Sequence, residues 1–440
     1  MTDTNPNLTA TPGSFQFNNF KLITQIGQQI DLSKLFLELN VFEDIMNPTV
    51  SGNVIIADAI GLYNNAPITA EESLSLSFNS KEDDETQKVK FQRDFDIYKV
   101  SNKTKLKQDL DVYTLYFASP EFEQNMHTKV SKAYNKSADQ IVKLLLTEDY
   151  PNGLGFKETS YRKLVAEASL YDENLVIPNW SPFEAIKYIL RRTLPTANYK
   201  AANYVFFENR DGFNFVTIES LLKQTPKWTY FRDVRQASAR KKTSFAIEDM
   251  KVSETQNVLD NINGGMYAGT LLTHDIVKKK YSKFEFDYLE EFDDTEHTNA
   301  NPLLSQKSKR NEKPLGYIKF YPTHTDLYDG MPEGTNRVDK WLLKNSSLLQ
   351  QMGSVKIIIT VKGNSRVQVG DLVNLDARMR NPENDQNVVA DKYYAGKYLV
   401  TAIRHHITPD EYNQTIELVG ESYRASLANA SAPDRPTRNA

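Results

Sequence analysis

Ser73-Leu-Ser-Leu-Ser-Phe78 reads as one edge-on view of a sheet. Leu74, Leu76 and Phe78 alternate with three serines, the period of two that sends apolar side chains to one face of a strand. The pattern extends in both directions. After the charged loop Lys81–Lys88, Val89, Phe91, Phe95 and Ile97 continue the alternation, and Val112–Ala118 closes the set behind a polar hairpin at Ser101–Asp111. Upstream, Phe36–Phe42 and Val50–Ala57 are β-rich runs split by the turn signal Asn47-Pro48. No long helical pattern interrupts them, so the first 120 or so residues read as one antiparallel β domain.

The whole chain is 440 residues long, enough for two to four domains at ~100–200 residues each. It contains no cysteine, which removes disulfide frameworks, zinc–cysteine sites, iron–sulfur ligation and thiol nucleophiles together. Its 53 Lys plus Arg stand against 57 Asp plus Glu, a net charge of −4, which argues against nucleic-acid binding as the main task because phosphate neutralisation needs an excess of basic residues. With 23 Tyr and 22 Phe the chain is too aromatic to stay unfolded. The first 16 residues are polar, with no basic and apolar leader, and the last 14, Leu427–Ala440, lack periodicity, so both ends read as flexible arms. No apolar run approaches the ~20 residues of a spanning helix, hence no membrane anchor is expected.

The character changes near residue 130. Ser137-Ala-Asp-Gln140 has the form of a capping box ahead of Ile141, Leu144 and Leu145. Ser181-Pro-Phe-Glu184 places Ser at N-cap, Pro at N1 and Glu at N3 ahead of Ile186, Ile189 and Leu190. Val205–Glu208 and Phe213–Thr217 flank Asn209-Arg-Asp-Gly212, a hairpin signal. Residues 130–240 thus read as a small α+β domain. From Glu285 to Glu296 seven residues are acidic, and from Lys307 to Lys313 four are basic; this block reads as a solvated loop inserted near 285–336. Val338, Trp341, Leu342, Asn345, Leu348, Leu349 and Met352 are at helical spacing, with Gly353 as the stop. Strands then return at Val355–Val361, Leu372–Leu375, Lys397–Ile403 and Thr415–Val419.

The two β regions share a plan. Ser51-Gly52 and Gly353-Ser354 each open a strand, and a polar connection leads to a second strand, a third, a polar turn and a fourth. Gly52 to Leu74 is 22 positions and Gly353 to Leu372 is 19; Tyr98 to Leu115 is 17 and Ile403 to Leu418 is 15. Identity between them is negligible, so two readings fit: an internal structural duplication, or a coincidence among antiparallel sheets.

Catalytic chemistry finds little support. The pair His405-His406 lies on a strand, where neighbours point to opposite faces and cannot share a metal. The other four histidines, His127, His274, His297 and His324, form no H-x-x-x-H spacing, there is no G-x-S-x-G elbow, and Gly264-Gly-Met-Tyr-Ala-Gly269 lacks the Lys-Ser/Thr ending of a phosphate loop. The acidic pairs Asp83-Asp84 and Asp293-Asp294 sit in hydrophilic stretches, and Tyr393, Tyr394 and Tyr398 read as core or interface packing at a strand start. No catalytic, cofactor or metal residue is expected, and no cofactor.

Several segments carry a resemblance. Phe42-Glu-Asp-Ile-Met-Asn-Pro-Thr-Val-Ser-Gly52, continuing through Ile55-Ile-Ala-Asp58, Gly61-Leu62, Pro67-Ile68 and Glu72–Phe78, resembles the opening of baseplate hub proteins of contractile phage tails. Ile177-Pro-Asn-Trp-Ser-Pro-Phe-Glu184 is similar to the helix-opening segment of the T-even central hub. Gly363-Asn-Ser-Arg-Val-Gln-Val-Gly-Asp371 and Gly396-Lys-Tyr-Leu-Val-Thr-Ala-Ile-Arg-His-His406 resemble its closing strands, and also the hub half of type VI secretion spike proteins. The resemblance runs over about 17–425 as dispersed motifs and includes neither the block Glu285–Lys313 nor the tail.

It implies a fold that is mainly β with α+β: two similar antiparallel β-barrel (tube-type) domains, 17–129 and 241–426, plus an intervening α+β domain, 130–240, between arms 1–16 and 427–440. It also implies a non-enzymatic homotrimer in the virion tail baseplate, assembled in the host cytoplasm. Six barrels in a ring would adapt the six-fold tail tube to the three-fold central spike. Expected partners are the chain itself, the spike, the tube or its initiator and other baseplate proteins, with DNA passing the lumen without specific binding. A hub without a fused spike is expected, since no lysozyme-like or β-helical region follows. A phage-derived injection particle or secretion system is the alternative context, and a cell-wall-degrading glycoside hydrolase a remote one.

Overall fold

The computed structural model describes residues 12–62, 68–81, 90–107, 110–232, 244–255, 257–303, 317–323, 337–381, 384–391 and 393–424. The Asp83-Asp84 pair, most of the Lys81–Lys88 loop, His324, the basic half of the charged block and the tail 427–440 lie outside them.

The first region contains β1 (Phe15–Ile23), β2 (Gln29–Asp31), β3 (Phe36–Asp44), β4 (Ser51–Asp58), β5 (Ser73–Ser80), β6 (Phe91–Lys107) and β7 (Leu110–Ala118). These pair antiparallel in the order β3-β4-β7-β6-β5-β1-β2. Alternation decides which side is buried: Leu74, Leu76 and Phe78 of β5 meet Phe91 and Phe95 of β6 and Leu115 and Phe117 of β7 in one apolar core. The polar hairpin of the sequence reading is itself strand, since β6 runs to Lys107 and β7 starts at Leu110.

The middle region carries α1 (Pro120–His127), β8 (Val130–Ser137), α2 (Ala138–Thr147), β9 (Lys163–Ala166), β10 (Asp172–Trp180), α3 (Pro182–Leu190), β11 (Tyr204–Asn209), β12 (Gly212–Thr217), α4 (Ile218–Leu222) and β13 (Trp228–Arg232). Glu184 accepts from both the backbone N–H and the hydroxyl of Ser181 at 2.9 Å each, so α3 opens where Ser-Pro-Phe-Glu places it. The Ser137 box does not form. Ser137 is the N-cap of α2 but makes no side-chain cap bond, and Asp139 instead accepts from the Ser169 hydroxyl at 2.7 Å. The Asp139 backbone N–H in turn donates to the Ser169 hydroxyl at 3.4 Å, so a tertiary acceptor takes a donor of the first turn.

Hairpin β11–β12 closes with Asn209 opposite Gly212, whose φ of 124° suits a residue without Cβ. Every residue of β11 is buried. Tyr204, Phe206, Phe213 and Phe215 face the helices α2 and α3, while Val205, Phe207 and Val216 face a second, larger core. A strand covered on both sides needs a continuous apolar run, and Tyr-Val-Phe-Phe supplies it.

The remainder comprises β14 (Ile247–Thr255), α5 (Val258–Asn263), β15 (Ala268–Asp275), β16 (Lys280–Asp287), α6 (Tyr288–Glu291), β17 (Asn301–Pro302), β18 (Ile318–Thr323), α7 (Val338–Met352), β19 (Val355–Lys362), β20 (Leu372–Asn381), β21 (Asn384–Ala390), β22 (Gly396–Ile407), β23 (Tyr412–Gly420) and β24 (Ser422–Tyr423). β14-β19-β23-β22 form an antiparallel run, and β22 then pairs with β3, Ala402 opposite Asp44 through Ile407 opposite Leu39. The two β regions therefore share one fourteen-stranded sheet. Ile407 and Tyr412 join the first core, and Ile45 of the first region joins the second. The molecule is mainly β with large antiparallel sheets.

One expectation is corrected. The acidic stretch Glu285–Glu296 is not a solvated excursion but contains the end of β16, α6 and a 3-10 turn at Phe292–Asp294. Its aromatic positions decide this: Tyr288 and Phe292, spaced four apart between the acidic residues, are buried in the second core.

Gly52 of β4 lies opposite Val41 on one side and Phe117 on the other, where an added Cβ would stand 2.3 Å from the Asn40 carbonyl oxygen and 2.4 Å from the Phe117 ring. Gly52→Ala is expected to destabilise by about 1–3 kcal/mol through overpacking, seen as a lower urea midpoint with an unchanged slope.

Candidate functional site

The described side chains converge most closely where the β11–β12 hairpin meets both β regions. Glu208, the penultimate residue of β11, is wholly buried. Its carboxylate accepts from the Val50 backbone N–H at 2.9 Å and from the Ser119 hydroxyl, both in the first region. Arg93 of β6, only 1% exposed, places Nη1 2.9 Å from Glu208 Oε1. Arg162 donates to Glu208 through Nε at 3.0 Å and to Glu121 of α1 through Nη1 at 2.8 Å. Two guanidiniums thus face two carboxylates, and the buried charge sums to zero.

The tip of the hairpin is held from both sides. Arg93 Nη2 donates to the Asn209 carbonyl at 2.6 Å and to that of Arg210 at 3.1 Å. Arg210 in turn donates to the Ser365 and Arg366 carbonyls at 2.9 Å each, Asn209 to that of Val369 at 3.1 Å, and Gln368 to Asp211 at 2.9 Å. The Gly363–Asp371 connection singled out in the sequence is therefore the wall on which the hairpin rests.

Electrostatics favour the ionised forms of Glu208 and Arg162, whereas burial works against those of Arg93 and Glu121. Burial pushes the Glu208 carboxyl up, but Arg93, Arg162 and the Ser119 and Val50 hydrogen bonds outweigh it and hold it below the ordinary carboxylate range. For Glu121 burial wins and its carboxyl is raised. Burial lowers the Arg162 guanidinium, yet Glu208 and Glu121 more than reverse this.

A second polar lock ties residues 292–303 to the chain beyond β23. His297 Nδ1 is 2.8 Å from Glu421 Oε2 and Nε2 is 2.7 Å from the Phe292 carbonyl, so both ring nitrogens face acceptors and the imidazolium suits the site. The ring stacks on Phe292 with centroids 3.7 Å apart. Thr298 donates its backbone N–H to Glu421, and β17 pairs with β24 beside it. Burial lowers the His297 pKa, but the Glu421 carboxylate and the Phe292 carbonyl together raise it above its ordinary 6.5.

The residues weighed for chemistry are dispersed. His405 is buried, with Nδ1 2.7 Å from the Tyr412 hydroxyl and Nε2 3.2 Å from Glu43, while His406 lies on the opposite face, 3.3 Å from Glu38. Asp294 pairs with Lys200 at 2.7 Å, and Asp293 faces an open cleft of about 880 Å³. Tyr398 is buried and donates to the Tyr394 carbonyl, and Tyr393 packs edge-on against Tyr423. Gly264 and Gly265 turn α5 into β15 against Gln350 and the Tyr317 ring. Among the described residues no group of three His, Asp or Glu side chains is placed to hold a metal. Nor is any helix there long and apolar enough to cross a membrane.

No described protein family matches the chain. Over 399 residues it is 23% identical to a probable baseplate hub protein of Vibrio phage KVP40, covering 87% of this chain and 89% of that protein. The resemblance to baseplate hub proteins holds. Two solved structures share its fold: a tail protein from Neisseria meningitidis MC58 (TM-score 0.52, 11% identity, 91% of this chain and 95% of that one) and the prophage MuSo2 tail protein from Shewanella oneidensis (TM-score 0.51, 8% identity, 93% and 99%).

Glu208→Gln leaves two buried guanidiniums facing one carboxylate and is expected to lower stability by about 3–5 kcal/mol in urea unfolding. For His297 the raised folded pKa means its contribution is complete below pH 6.5 and is lost as pH rises through the higher folded value. The His297 ring, followed by NMR, is expected to titrate above 6.5; a midpoint at or below that value would contradict the lock.

Proposed function

We propose that the chain is a structural hub of a phage tail baseplate and performs no catalysis. The carrying observation is the relationship to the KVP40 protein, because it runs through nearly the full length of both chains rather than one module. On this reading 17–129 and 241–426 are the two tube-type barrels and 130–240 the domain between them. Three copies form a ring, so that six similar β units meet a six-fold tube on one side and a three-fold spike meets the other. The tail is contractile, the protein resides in the virion baseplate, and DNA passes the lumen without specific binding, which a net charge of −4 favours.

The built geometry supports a rigid part. A shared sheet, two cores that exchange residues across the seam and a hairpin pegged from both sides all fix one β region relative to the other. Such a part positions partners.

Electron cryo-microscopy of the intact tail tests the reading. Three copies around the tail axis, between tube and spike, are expected. A single off-axis copy, or density for this chain outside the baseplate, would overturn it.

A further inference from the structure

A predominantly apolar recess, a groove of about 620 Å³, opens where the regions meet. Its volume falls in the ~300–1,000 Å³ range of clefts that hold ligands, and junctions between folded units are where such clefts collect. Ile186 of α3 and Val205 and Phe206 of β11 form its buried floor. Three flexible apolar side chains stand around it in water: Met46 from the β3–β4 turn (68% exposed), Met126 from α1 (61%) and Leu349 from α7 (47%). Exposed methionines at the lip of an apolar groove adapt to varied side chains at little conformational cost.

The net charge at this rim is positive. Glu184 also lines the groove, but its carboxylate is engaged by the Ser181 cap and lies 3.5 Å from Lys129 Nζ, so those two charges offset each other. Lys187 and Arg191 remain. They stand four residues apart, one turn along α3 and its C-cap, both exposed, and neither has an ion-pair partner among the described residues. In a protein of net charge −4 this is a local basic edge on an apolar slot.

We propose that this groove is a docking site for an acidic, amphipathic segment of another protein. The segment's apolar side chains fill the slot between Met46, Met126 and Leu349, and two of its carboxylates, roughly 6 Å apart to match one helical turn, meet Lys187 and Arg191. Charge complementarity selects the partner and the buried apolar side chains hold it. The hub reading supplies a reason for a partner, but the inference rests on the groove itself and is tested on the isolated chain.

The test is selection of a random twelve-residue displayed peptide library on the purified full-length protein, followed by fluorescence anisotropy with the enriched peptides. Enriched sequences are expected to combine apolar residues with Asp or Glu. Their affinity should fall by about tenfold or more, equal to about 1.4 kcal/mol, in the double variant Lys187→Glu, Arg191→Glu. Both positions are exposed, so the variant should keep its thermal midpoint, and Leu349→Lys, which charges the lip without touching α3, should weaken binding as well. Enrichment of basic or uncharged peptides, binding that neither variant changes, or no enrichment would each overturn the proposal. Self-association of the wild-type chain in sedimentation that the double variant abolishes would put a second copy in the groove and likewise overturn it. Neither set of outcomes depends on where the protein sits in a tail, so the docking site and the hub reading can fail separately.

Discussion

The carboxylate of Glu208 has no contact with water, and an isolated charge in that position would cost several kcal/mol. Everything around it follows from meeting that cost. Arg93 must reach in from β6 and Arg162 from the segment before β9, and the Val50 N–H and Ser119 hydroxyl must complete the shell. Four stretches of chain far apart in sequence are thereby tied to one strand. Once β11 is placed, its two faces define two cores: aromatic rings against α2 and α3 on one side, Val205 and Phe207 against the second β region on the other. Arg93 then serves twice, since the group that neutralises Glu208 also holds the turn that follows it.

The β regions do more than touch at this point. Because β22 continues the sheet of the first region through β3, the backbone itself crosses the boundary, and the seam carries its own buried polar group in the Glu43–His405–Tyr412 chain. Such a join tolerates little relative motion. The contrast is the outer three-stranded sheet, β16-β15-β18, whose β18 is exposed along nearly its whole length. Burial is concentrated between the regions and falls away along this outer strand.

Much of the fold was legible because period and punctuation agreed. The Ser-Leu alternation of β5, the Ser-Pro-Phe-Glu start of α3, the Asn-Arg-Asp-Gly turn and the stop of α7 at Gly353 rest on local rules that tertiary context did not override, whereas the expected stripe of α7 is shifted: Leu343, Ser347 and Gln351 are buried and Leu349 is exposed. Ser137 shows the limit: its spacing to Gln140 satisfied the rule, but its side chain makes no cap bond, and the first-turn N–H of Asp139 is met by Ser169, thirty residues away. The acidic block misled for a related reason, since seven carboxylates mask three aromatics, Phe286, Tyr288 and Phe292, that are buried in the second core. The junction was the least visible. Its one signal was parity: Arg93 shares the inward face with Phe91, Phe95 and Ile97, and an arginine there demands a buried carboxylate. Nothing local says that the carboxylate sits on Glu208, 115 positions downstream.

The pairing of β22 with β3 has a mechanical side. Its register joins six residue pairs, Ala402–Asp44 through Ile407–Leu39, along strands that run antiparallel. A load directed along those strands shears all of the hydrogen bonds together, whereas a load across them would open the ladder one rung at a time. The seam is therefore strong in one direction and comparatively weak in the perpendicular one. The orientation of a single strand pair relative to a load thus sets how much force the join can bear before it yields.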